Sequence, residues 1–124
     1  MVNLLLLYLS AFFTIIWGVA HLIPTKNVVE GFGEISEDNR NIITMEWIVE
    51  GVSLIFIGVL TALITYINPG ESVAKILYSL IAVELVTLAI VSLFTGFKVK
   101  FLPFKLCPVI FLISAALIVV GGFV

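Results

Sequence analysis

Four stretches of the chain, Asn3 to Ile23, Ile42 to Ile67, Val73 to Phe94 and Leu106 to Val124, are each apolar over the length a helix needs to cross a bilayer. A helix rises about 1.5 Å per residue, so roughly 30 Å of hydrocarbon takes about 20 residues. Hydrocarbon offers a bare backbone no hydrogen-bond partner, so each stretch must be helical, and four segments are far too few for a barrel. The expected fold is an all-α membrane protein: a four-transmembrane-helix bundle of up-down topology, one domain over residues 1–124. A short cytoplasmic interfacial segment is expected between the first two spans.

Composition agrees. Hydrophobic residues make up 62% and charged residues 11% of the chain, where soluble domains carry about 25% charged residues. Mean hydropathy is +1.31. The net charge of −2 points to no acidic or basic partner, and no basic cluster interleaved with aromatics suggests nucleic acid. The single cysteine, Cys107, excludes an intramolecular disulfide and a cysteine-based zinc site. The opening run "MVNLLLLYLSAFFTIIWGVAHLIP" lacks a basic start and a small-residue cleavage site, and its apolar part exceeds that of a signal peptide. It is expected to be a retained helix.

Span boundaries carry recognisable signals. In "INPGES" Pro69 and Gly70 stop the second span, and Ser72 is available as the N-cap of the third. "TGFKVKFLPFK" ends the third span at Gly96, and Pro108 is expected in the first turn of the fourth, where its missing N–H costs little. In "ISEDNRNII" Ser36 is a candidate N-cap, with Glu37 and Asp38 suited to the positive end of the helix dipole. Pro24 to Ile35 is expected to lie along the interface as a short amphipathic turn or helix. Lys26, Arg40, Lys98, Lys100 and Lys105 flank the first and third loops, and only Lys75 lies on the other side. That bias puts those two loops in the cytoplasm and both termini outside, in the plasma membrane if the source is a prokaryote.

Every span carries a polar stripe. At 100° per residue, Ser10, Thr14, Gly18 and His21 fall within about 80° on the first. On the second, Glu46, Glu50, Ser53, Thr61 and Thr65 share a sector beside Gly51, Gly58 and Ala62. On the third, Glu84 shares one with Thr87, Ser92 and Thr95, and on the fourth Cys107, Ser114 and Gly121 repeat every seven. Small residues let helices approach, and hydroxyls bond across helices or back to their own carbonyls.

The ionisable residues need more explanation. A charge at mid-membrane costs about 2.5 to 3.5 kcal/mol even on the lenient insertion scale, which makes an intramembrane acid a candidate for function. Glu84 lies about ten residues from either end of its span, beyond reach of both surfaces. Without a cation or water beside it, such an acid is expected to be neutral and to donate a hydrogen bond to another helix or to a ligand. Glu46 and Glu50 lie about 6 and 12 Å inside the span by helical rise. His21 closes the first helix on the same side and is expected to face one of them, with Arg40 or Lys26 as competing cations. Histidine changes charge near physiological pH, so this group is either a proton or cation site or an ion pair fixing the first hairpin.

Other chemistry finds less support. The only histidine has no Glu three residues before it, so no di-iron motif is met, and no ligand spacing indicates a metal. Cys107 is expected to pack as a small apolar residue, and "EGFGEIS" is no phosphate loop. Trp17, Trp47, Tyr8, Tyr66 and Tyr78 lie toward span ends, as interfacial belts require; Trp17 and Trp47 are also placed to line a pocket for a flat lipophilic ligand such as a quinone.

In "GVAHLIPTKNVVEGFGEISEDNRNIITMEWIVEG" a first helix ends on a polar residue and Pro, and a second opens on a charged segment. With the four-span layout, this is similar to the DoxX-like families. The resemblance covers the whole chain and carries over no site residue. It implies an accessory or ligand-binding role, since such families include accessory membrane subunits of quinone-linked redox systems and assembly factors.

The leading expectation is therefore a non-catalytic membrane protein with a polar pocket formed by His21, Glu46, Glu50 and Glu84. Arg40, Trp17, Trp47, Ser10, Thr14, Ser53 and Thr87 support it. It would bind a lipophilic or cationic small molecule, with a quinone or lipid among the candidates, or a partner membrane subunit. The alternative is a proton-coupled transporter or channel, acting as a homo-oligomer through its small-residue faces. A membrane enzyme with Glu46 or Glu50 as base and His21 as acid has the residue types but no sign of a substrate.

Overall fold

The computed structural model describes all of residues 1–124. Five α-helices form: α1 (Leu4–Leu22), α2 (Thr25–Glu30), α3 (Glu37–Ile67), α4 (Ser72–Phe94) and α5 (Leu102–Phe123), with a single 3₁₀ turn at Gly96–Lys98. Helices α1, α3, α4 and α5 are long and apolar enough to cross a membrane. Their outer faces are covered with exposed apolar side chains such as Phe12, Phe56, Leu80, Val83 and Leu112. A chain that presents such a surface on every spanning helix is an integral membrane protein.

Local chemistry sets the helix ends. Asn3 Oδ1 accepts from the Leu6 N–H at 3.3 Å, and Ser36 Oγ accepts from the Asn39 N–H at 3.2 Å. Each satisfies one donor that the first helical turn leaves bare. Glu37 and Asp38 occupy the first turn of α3 as expected, and α3 is 31 residues long, so its first turns extend past the apolar segment. Within the Pro24 to Ile35 stretch Thr25–Glu30 forms α2, tethered by the buried Val29.

Two boundaries differ from expectation. Ser72 is the first residue of α4 and not its cap; Glu71 holds the cap position, its carboxylate accepting from Asn68 Nδ2 at 3.3 Å. Helix α5 starts at Leu102, not Leu106, with Pro103 in its first turn, and this leaves Pro108 inside the helix. Two prolines five residues apart both suit a helix start, and the earlier one takes it. Pro108 then deprives the Phe104 carbonyl of its i+4 donor, an irregularity that spanning helices tolerate.

The four spanning helices are antiparallel to their neighbours around a ring. α1 lies between α3 and α5, and α4 packs on α5. Across α1 and α3 the backbones meet at glycines. A Cβ on Gly18 would lie 2.7 Å from the Gly51 carbonyl oxygen, and one on Gly58 would lie 2.8 Å from that of Ala11. The small residues of α3 are thus consumed within the chain, where the sequence alone had offered them for association between copies. On the other flank, Asn3 N–H donates to the Gly121 carbonyl at 2.7 Å and Ser10 Oγ to that of Ser114 at 2.8 Å.

The ring closes poorly between α3 and α4, whose contact is the least extensive of the four. Near their connecting turn Thr65 Oγ1 and Tyr78 Oη lie 3.0 Å apart, both side chains buried. Toward the other end the two helices leave a cleft between them. The core runs beside it, through Leu7, Leu54, Tyr78, Leu85, Phe111 and Ile118. Tyr78 is therefore a core residue and not part of an interfacial belt. Trp17 and Trp47 are only partly exposed and pack inward, whereas Tyr8 and Tyr66 do face outward.

Candidate functional site

His21 sits in the last turn of α1, where backbone carbonyls lose their helical donors. Two of those carbonyls are satisfied by side chains. Thr25 Oγ1 donates to the Leu22 carbonyl at 2.6 Å, and Trp47 Nε1 donates to that of His21 at 2.5 Å. The Trp47 ring also stacks on the imidazole, centroids 4.5 Å apart and planes 21° from parallel. Trp17, one turn back on α1, meets the imidazole edge-on at 6.2 Å. The polar stripe of α1 is buried as its spacing predicts, and His21 is left 5% exposed.

The charged partner of His21 is Glu50, with Nε2 3.4 Å from Oε1. Helical spacing explains the choice: Trp47 and Glu50 are three residues apart, so one face of α3 supplies both the stacked ring and the carboxylate. The competing cations are elsewhere. Lys26 pairs with Glu30 on α2 at 3.8 Å. Arg40 is exposed in the first turns of α3 and forms no ion pair.

Glu46 and Glu84 line the α3/α4 cleft together with Glu50, and neither of the two forms an ion pair. The cleft has a volume of about 470 Å³. Its wall is otherwise Ser53, the rings of Trp47 and Phe104, and aliphatic side chains including Ile43, Leu54 and Leu88, with no Lys or Arg. Glu84 lies on an exposed face of α4. By helical rise it is about 15 Å from the Phe94 end, close to the depth of Glu50 on α3. The cleft opens on the flank of the bundle, so Glu84 borders the bilayer and not a closed interior.

A second cavity of about 420 Å³ lies on the far side of Trp47 and Phe104, lined by Trp17, His21, Phe101 and Cys107 among others. The His21–Glu50 pair therefore spans the partition: its imidazole borders one cavity and its carboxylate the other. Phe104 meets Trp47 edge-on at 5.4 Å and completes that partition. No sequence signal marks Phe104, which lies in an interfacial run of aromatics where its direction depends on where α5 begins.

The remaining expected contributors divide. Ser53 lines the cleft. Ser10 and Thr14 are buried deeper along α1, and Thr14 Oγ1 is spent on the Ser10 carbonyl at 2.9 Å. Thr87 Oγ1 donates to the Val83 carbonyl of its own helix at 2.9 Å and does not line the cleft. Cys107 is buried, its thiol donating to the Pro103 carbonyl at 3.5 Å. No three His, Cys, Asp or Glu side chains converge closely enough to hold a metal ion.

Compared with protein families, curated proteins and solved structures, the chain matches none of them.

Proposed function

We propose that the protein is a non-catalytic membrane binding protein whose α3/α4 cleft takes a lipophilic cation. The observation that carries this reading is the cleft wall, where three acidic side chains border a space that is apolar but for Ser53 and holds no basic residue. Its volume falls in the range of small-molecule sites. An ammonium or phosphonium centre would be drawn to the carboxylates and to the faces of Trp47 and Phe104, and its apolar substituents to the aliphatic wall. A quinone or a neutral lipid would fill the same space but bring no charge to the three acids, whereas a cation stabilises their ionised form. The flank opening lets a ligand enter from the bilayer.

A partner membrane subunit, or a second copy, is the other reading, and the exposed Glu84 favours it: a Lys or Arg from a neighbouring helix would supply the cation the chain lacks. Proton-coupled transport draws less support from a single copy. Beyond His21 the bundle is filled by the Gly18/Gly51 contact and by the fully buried Leu54. The core hydroxyls of Thr14, Thr61 and Thr65 are committed to carbonyls of their own helices. The lysine distribution supports cytoplasmic first and third loops with both termini outside, and the DoxX-like layout supports an accessory role.

Equilibrium binding of tetraphenylphosphonium to the protein in nanodiscs tests the proposal. Saturable binding should weaken at least tenfold, about 1.4 kcal/mol, in both Glu84→Gln and Glu46→Gln. Binding equal in wild type and both variants would sink it.

A further inference from the structure

Glu50 stands between two cation positions. On one side its Oε1 lies 3.4 Å from His21 Nε2; on the other its side chain, 38% exposed, forms part of the cleft wall. His21 itself is 5% exposed and borders the second cavity, not the cleft. Trp47, stacked on the imidazole, is common to both walls.

The groups around His21 leave it one counter-charge. From its own helix comes Trp17, and from α3 come Trp47 and Glu50. From α5 comes Cys107, a thiol engaged with the Pro103 carbonyl. Helix α4 contributes only Glu84, on the cleft side of Glu50, and Glu46 lies one helical turn away on that same side. A buried imidazolium is costly unless it is paired. Its charge therefore depends on Glu50 remaining available.

A ligand cation that engages Glu50 from the cleft removes that availability and adds a like charge nearby. Both effects disfavour the imidazolium. We infer that the site exchanges a proton for a cation: occupation of the cleft expels one proton from His21 Nε2 through the second cavity. The balance is simple. Imidazolium, carboxylate and incoming cation become neutral imidazole, carboxylate with bound cation, and one released proton, so the net charge of the site is unchanged. The inference rests on the reading of the cleft as a cation site.

The test titrates wild-type protein in nanodiscs with tetraphenylphosphonium in weakly buffered medium containing a pH indicator, with affinity measured between about pH 5 and 8. Release should approach one proton per bound cation at the acid end. Affinity should fall by up to tenfold per pH unit toward acid and level off toward alkali. Because the chain has one histidine, nitrogen NMR of histidine-labelled protein reads the protonation of His21 directly and should show loss of the imidazolium on saturation. His21→Gln should bind with one proton fewer released per cation than wild type; where that variant does not fold, the NMR of wild type decides. Binding without proton release at any pH overturns the exchange and leaves the binding reading standing. Release undiminished in His21→Gln, or an unchanged histidine spectrum, overturns the assignment to His21. No binding at any pH overturns both.

Discussion

The indole of Trp47 holds His21 twice, stacking on its imidazole at 4.5 Å and donating to its backbone carbonyl at 2.5 Å. One side chain of α3 thus fixes the ring that meets Glu50 and also caps the end of α1. The arrangement ties the geometry of the His21–Glu50 pair to the closure of the first hairpin, so site and fold are coupled at this point.

Replacing Trp47 with Phe keeps a ring to stack on His21 and removes only the N–H donor. The His21 carbonyl is then left without its cap, at a cost of about 1 to 3 kcal/mol if water does not reach it. Unfolding of Trp47→Phe in detergent should show a loss of that order. A variant as stable as wild type would mean the carbonyl finds another donor.

The Gly18/Gly51 contact carries a steeper prediction. A Cβ on Gly18 would lie 2.7 Å from the Gly51 oxygen and 2.9 Å from Ile55 N, both backbone atoms. Neither can swing away as a side-chain end would, so α1 and α3 must separate along the face where His21 meets Glu50. Gly18→Val should be among the most destabilising single changes in the chain. Its effect should appear as loss of the folded species by size-exclusion chromatography, because the glycine face is internal.

Tyr78 offers a contrasting case. Thr65 already donates to the Thr61 carbonyl at 2.7 Å, so the 3.0 Å contact with Tyr78 must be the phenol donating to Thr65 Oγ1. Removing the phenol oxygen leaves no unpaired donor, and Thr65 keeps its own bond. Tyr78→Phe should therefore cost only about 0.5 to 1.5 kcal/mol. Hydrogen exchange should rise first at the α3/α4 turn, where this bond joins two helices that otherwise touch little.

The spans, their stripes and the Ser36 cap were legible because length, periodicity and capping chemistry act locally. Ser10, Thr14, Gly18 and His21, and likewise Cys107, Ser114 and Gly121, are buried as their spacing predicts. Partner choice was not legible. A stripe gives the buried face of a helix but not which neighbour covers it, so Glu84 reads the same whether it faces a closed interior or the open α3/α4 cleft. Tyr78 shows the same limit: its place near a span end suggested a belt, and its direction around the helix decided for the core. The pairing of His21 with Glu50 and not Glu46 turns on the position of Trp47, which sequence spacing alone does not fix.

The carboxylate of Glu84 separates stability from binding. It borders the bilayer and the cleft and forms no ion pair. Replacing it with leucine removes a group that hydrocarbon penalises and breaks no ion pair within the chain. Glu84→Leu should raise the thermal midpoint in detergent or nanodiscs while weakening tetraphenylphosphonium binding. Glu50→Gln should do the opposite to stability, because it strips the buried His21 of its counter-charge. A residue kept at a cost to the fold is what a binding site requires. If Glu84→Leu instead lowers the midpoint as much as Glu50→Gln does, Glu84 is part of the scaffold and the cleft loses its third acid as a ligand.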